Sequence, residues 1–164
     1  MNVRAATPED VEIVGSLLDE ATAWVNELGH RQWPRPFPRD ELAAAIARSE
    51  VFVGEIDGRP IATVTVLAAD PLFWGERPPD ALYIHKLAVG RDYAGQGLGA
   101  EVVDWVNARA AEVGRTHLRL DCLRDDPGIR AYYERLGFEY RGDLDDTGRG
   151  LQVSLYERKV PDTL

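Results

Sequence analysis

Apolar and polar positions along the chain change period several times, and each change marks an element. "NVRAAT" (2–7) reads as a short strand. Thr7-Pro8-Glu9-Asp10 then opens a helix, with a hydroxyl cap, a proline in the first turn and acids at the positive dipole end. Its apolar stripe is Val11, Val14, Leu17, Leu18, Ala21, Val25 and Leu28, and Gly29 ends it. "RQWPRPFPRD" is predicted to be loop, because Pro34, Pro36 and Pro38 remove donors and fix φ. Asp40 is placed to cap a second helix, "ELAAAIARS". "VFVGEI" and "PIATVTVLAA" flank Asp57-Gly58 as a hairpin, and residues 70–80 read as another loop. "ALYIHKLAV" is a third long strand, followed by a glycine-rich turn and a helix from about Leu98 to Val113. In "HLRLDCL", Leu118, Leu120 and Cys122 alternate against Arg119 and Asp121 as a half-buried strand does. "DPGIRAYYERLG" reads as a helix, and "FEYRG" and "LQVSLYERK" as the last strands. The order β-α-α-β-β-β-α-β-α-β-β predicts an α+β fold with a mixed sheet.

Length changes this picture only by setting its scale: 164 residues suit one domain over 1–164. The net charge of −9 argues against a nucleic-acid backbone as partner. No apolar stretch approaches the ~20 residues that cross a bilayer, so no membrane partner is expected. The N-terminal stretch lacks a secretory pattern. The single Cys122 cannot form an internal disulfide, and His30, His85 and His117 lack metal-ligand spacing. A cytoplasmic, metal-free protein is the expectation.

The candidate chemistry begins at "RDYAGQGLGAEVVDW" (91–105), where Gly95, Gly97 and Gly99 fall within five positions just before a helix. A strand, a glycine turn and a helix N-terminus together make an anion site, because free backbone N–H groups point outward and the dipole favours negative charge. Bare glycines let phosphate oxygens approach the main chain. The plain alternative is a turn that only reverses the chain. A Walker-type loop is excluded, since Ala100-Glu101 follow Gly99 in place of Lys-Ser/Thr. "GQGLGA" also matches a relaxed dinucleotide fingerprint, with Asp121 at a suitable distance, but a hairpin precedes it and too few β-α units follow.

Taken with "LYIHKLAV", "YAGQGLG" and "LRLDC…YYERLGF", the chain resembles the GNAT superfamily of N-acetyltransferases, most specifically over residues 82–139. The resemblance implies a mostly antiparallel central sheet flanked by helices, with a splayed strand pair where acetyl-CoA binds. It implies that Leu87, Ala88 and Val89 offer backbone partners to the acetyl and pantetheine amides. It further implies that Gly95, Gln96, Gly97, Leu98, Gly99 and Ala100 hold the pyrophosphate. Two positions depart from the family pattern: Ala94 stands where Gln or Arg is usual, and Asp126 where an Asn often serves the cofactor. An ionised carboxylate cannot donate, and Asp126 before Pro127 also suits a helix cap.

The resemblance casts Tyr133 as the acid that protonates the departing thiolate, beside the alternative of a core aromatic. By the same resemblance His85 or Asp121 is the expected base for the acceptor amine, with a structural hydrogen bonder as the alternative for each; an ordinary imidazole, with pKa ~6.5, suits proton relay. Cys122, alternating with apolar residues, is expected to be buried packing. Trp33, Phe37 and Trp74, with Trp24 and Phe73, either wall an acceptor pocket or cap the core. The expected function is acetyl transfer from acetyl-CoA to a primary amine of a small molecule or peptide. An acyl-CoA-binding module with little catalysis is the alternative. Sheet-edge dimers are frequent in the superfamily, so a homodimer is a further expectation.

Overall fold

The computed structural model describes residues 1–145 and 150–161. Seven strands form a sheet in the order β1-β2-β3-β4-β5-β7-β6. They are β1 (Asn2–Ala5), β2 (Val51–Ile56), β3 (Arg59–Leu67), β4 (Ala81–Val89), β5 (His117–Leu123), β6 (Glu139–Leu144) and β7 (Val153–Lys159). The helices are α1 (Val11–Glu27), α2 (Arg39–Ala47), α3 (Pro71–Trp74), α4 (Leu98–Glu112) and α5 (Pro127–Arg135). The expected element order is present, with one addition: α3 lies inside the stretch read as loop.

The chain divides into two compact units. The first comprises Met1–Val66 and Lys86–Trp105. Here β1 pairs antiparallel with β2, and β2 with β3 through a turn in which Asp57 and Gly58 both have positive φ, 53° and 74°. That conformation matches the twist of the flanking strands, which is why an Asp-Gly pair reads as a hairpin. The core joins Val14 and Leu18 of α1, Leu42 and Ile46 of α2, Val51 and Val53 of β2, Ala88 of β4, and Phe37. α1 departs from its predicted stripe at two places. Thr22 is buried because its hydroxyl donates to the Leu18 carbonyl at 2.7 Å, and Leu28, at the end of the helix, is 54% exposed. The proline-rich loop is tied to α1 by Asp19, which accepts the Phe37 N–H at 2.7 Å and Arg39 Nη2 at 3.2 Å. Pro38, not Asp40, occupies the cap position of α2; Asp40 contributes its charge to the first turn.

The second unit comprises Leu67–His85 and the chain from Val106 onward. β4 and β5 pair in parallel from Ala81↔His117 to Ile84↔Leu120, and the ladder stops there although both strands continue. β5 pairs antiparallel with β7, and β7 with β6. Leu118, Leu120 and Cys122 are buried, as the alternation in β5 required. Arg119 is buried as well, satisfied by Glu157 Oε2 at 2.7 Å, Asp80 Oδ1 at 2.9 Å and the Tyr83 hydroxyl at 3.0 Å. A buried guanidinium persists only where such partners replace its water.

Candidate active site

The turn before α4 is the first element to build. Gly95 and Gly97 have φ of 79° and 75°, in the left-handed region that side-chain-bearing residues avoid. The backbone therefore demands both glycines whatever they bind. An added Cβ at either position would meet no protein atom within 4 Å. The space over the turn is left open by the chain, and Gly95, Gln96 and Gly97 are exposed. The Glu101 N–H bonds the Gly97 carbonyl at 3.2 Å, so the amides just before it belong to the unsatisfied end of the helix. Leu98 is buried and anchors the first turn, while Gly99 and Ala100 are half-buried. Open space, left-handed glycines and a helix N-terminus suit a diphosphate in approach and in charge.

At the end of β4, Leu87 and Val89 are half-buried and Ala88 is in the core of the first unit. Lys86 has φ of 50°. The strict two-residue alternation of a strand does not run through such a residue. Lys86 Nζ lies 5.7 Å from the Phe37 ring centre, and the Arg91 guanidinium stacks 3.8 Å from that of Trp24. Arg91 thus makes a packing contact within the first unit.

In the second unit the two candidate bases meet a third residue. His85 Nε2 is 2.7 Å from Asp70 Oδ2, and its Nδ1 is 3.8 Å from Asp121 Oδ1. One donor atom from each of the three lies within 4.8 Å of the others, so they could together hold a divalent cation. The Phe73 ring is tilted against the imidazole, with centres 5.8 Å apart. Asp70, fifteen positions before His85, has no sequence pattern that marks it as the partner of that histidine. Asp70-Pro71, the same kind of pair that starts α5 at Asp126-Pro127, signals only the start of a helical turn.

Tyr133 is 8% exposed, between the ring of Tyr132 at 5.2 Å and that of Phe138 at 5.7 Å, both edge-on. Burial pushes its phenol well above the ordinary range, so it keeps its proton at neutral pH. Burial likewise pushes the Cys122 thiol up to about 12, leaving it no role as a nucleophile.

The family model described as "Acetyltransferase (GNAT) family" matches residues 18–138. The chain belongs to the GNAT acetyltransferase family. A Bacillus subtilis (strain 168) relative, described as the uncharacterized N-acetyltransferase YesJ, is 33% identical over 163 residues, covering 94% of this chain and 88% of its own. A GNAT-family acetyltransferase structure from Listeria monocytogenes superposes with a TM-score of 0.79 at 24% identity, covering 96% of this chain and 94% of that one. The yncA structure from Salmonella typhimurium, solved with its cofactor acetyl-CoA, has a TM-score of 0.72 at 16% identity, covering 100% and 96%. The α+β fold with a mostly antiparallel sheet flanked by helices is that of GNAT structures.

Other candidates in this GNAT chain take structural places. Asp126 Oδ1 accepts the Ile129 N–H at 3.1 Å, so the carboxylate serves as the cap of α5. Phe37, 4% exposed, and Trp74, 6% exposed, lie in the cores of their units, and Trp33 packs against the first core while half-buried. Phe37 and Trp74 thus pack in the interiors of their units. In the stretch between α3 and β4, Asp80 is engaged by Arg119 and Glu76 is exposed.

Proposed function

We propose that this GNAT chain transfers the acetyl group of acetyl-CoA directly to a primary amine of a small molecule or peptide. The observation that carries the reading is the open turn at Gly95 and Gly97 ahead of α4, whose left-handed backbone leaves space that a Cβ would fill. Acetyl-CoA would supply an acetyl group already activated as a thioester. The Gly95–Ala100 backbone would hold its diphosphate, and Leu87, Ala88 and Val89 would offer main-chain partners to its amides. Tyr133, which keeps its phenol proton at neutral pH, would give that proton to the leaving sulfur. The attacking nitrogen must lose a proton as its bond to carbon forms, and His85 and Asp121 are the groups able to receive it.

Calorimetry with acetyl-CoA, coenzyme A and NAD, followed by a primary-amine panel read by release of free thiol, tests this reading. Binding of acetyl-CoA together with turnover of at least one amine is expected. Preference for NAD, or no binding, would overturn it. Tight binding with no turnover would make the protein an acyl-CoA-binding module instead.

A further inference from the structure

We propose that Asp70 is a positioning residue for the transfer, fixing His85 as the Nε2–H tautomer so that Nδ1 receives the proton of the acceptor amine. This rests on the acetyltransferase reading above and decides between the two bases that it leaves open. Asp70 is 7% exposed, and its carboxylate can only accept hydrogen bonds. At 2.7 Å, the proton between Asp70 Oδ2 and His85 therefore sits on Nε2. A neutral imidazole has one N–H, so its lone pair then lies on Nδ1. On that side Asp121 Oδ1 is 3.8 Å away, too far for a direct hydrogen bond. One N–H-bearing atom at about 2.9 Å from both would bridge a separation of that length. An acceptor nitrogen there would have its charge met by Asp121 and its proton taken by Nδ1.

The placement of Asp70 also sets it apart from a residue that only builds structure. It stands at the cap position of α3, yet its side chain makes no cap bond. A residue there ordinarily turns its oxygen toward the N–H groups of the first turn. Asp70 turns instead to a histidine fifteen positions along the chain. Its carbonyl still accepts the Trp74 N–H at 2.9 Å, so the main chain holds α3 while the side chain is free to orient the imidazole. The Phe73 ring packs, tilted, against the same imidazole, 5.8 Å between centres.

The test uses the full chain with ¹⁵N-labelled histidine. Long-range ¹H–¹⁵N spectra at the assay pH report the tautomer of each ring, and the His85→Ala spectrum identifies which of the three histidines is His85. A neutral Nε2–H ring is expected. A Nδ1–H ring, or an imidazolium held between the two carboxylates, would overturn the proposal. Asp70→Asn preserves shape but can donate to Nε2 and so reverse the tautomer. It should lower kcat by about 100-fold with acetyl-CoA affinity within about threefold, and the Asp70→Asn/His85→Ala pair should lose no more than His85→Ala alone. A kcat within threefold of wild type would refute it. Absence of turnover in the wild type would instead remove the acetyltransferase reading, a result separable from the spectra because the tautomer is read without substrate.

Discussion

Adding one methyl group at Gly97 separates the cofactor-cradle explanation of the glycine turn from the chain-reversal explanation. At φ of 75° an alanine is held in the left-handed region, which costs about 1 kcal/mol of stability. The new Cβ touches nothing within 4 Å, so no steric term adds to that cost. The Asp57-Gly58 hairpin supplies a matched control. Gly58 has φ of 74° and equally open space, and lies in a turn with no proposed ligand. Gly58→Ala and Gly97→Ala should therefore lower the urea unfolding free energy by similar amounts. Only Gly97→Ala should weaken acetyl-CoA. If the methyl displaces one phosphate oxygen from a backbone N–H, about 1.5–3 kcal/mol is lost, or roughly 10- to 150-fold in Kd by calorimetry. Equal affinities in the two variants would show that Gly97 serves only the backbone, and the diphosphate would have to be held elsewhere.

Tyr133→Phe removes only the hydroxyl and should lower kcat by ~100-fold while leaving acetyl-CoA affinity almost unchanged; an unchanged rate removes Tyr133 from the chemistry. Asp10 makes a different, pH-dependent contribution. Its carboxylate accepts Arg4 Nη1 at 2.8 Å, Arg4 Nη2 at 3.0 Å and the Thr7 N–H at 2.7 Å, and these donors, Arg4 foremost, hold its pKa down at about 2. A depressed carboxylate stabilises the fold fully above its unfolded pKa and loses that contribution as pH falls through the folded one. Wild type should thus lose about 2 kcal/mol relative to Asp10→Asn between pH 5 and pH 2, read from urea midpoints. A difference between the two that does not vary with pH would be evidence against the ion pair.

What could be read from the chain was whatever depends on neighbouring residues. The Asp57-Gly58 turn, the left-handed glycines before α4 and the Asp126-Pro127 start of α5 are each set within a few positions, and all are present. Contacts between distant residues were not legible. Nothing in "DPLFWGERPPD" announces that Asp70 will reach His85, because three prolines within it give a loop signal that masks a single helical turn. The positive φ of Lys86 was equally hidden, since a lysine inside a β-branched and aromatic run carries no local sign of leaving the strand conformation. Asp121 was a candidate base only through the resemblance to the family, and its distance to His85 follows from where the β4–β5 ladder ends.

The burial of Trp74 connects this hidden helix to the proposed chemistry. Four residues cannot form a stable helix alone, so α3 must be held by what its side chains pack against. Trp74, its last residue, lies against Ala81 and Tyr83, with the Arg119 guanidinium 5.4 Å and that of Arg77 5.2 Å from its ring centre. Asp70 is at the other end of the same turn, and its carbonyl accepts the Trp74 N–H. Trp74→Leu removes the broad ring but keeps an apolar side chain, and should cost about 2–4 kcal/mol of unfolding free energy. If the anchored ring is what holds α3, the variant at temperatures where it remains folded should also lose the fixed His85 tautomer, and kcat should fall toward that of Asp70→Asn. The same ¹⁵N spectra decide it: a destabilised protein with an unaltered His85 ring would mean that Asp70 finds its partner without α3, and that the helix only fills space.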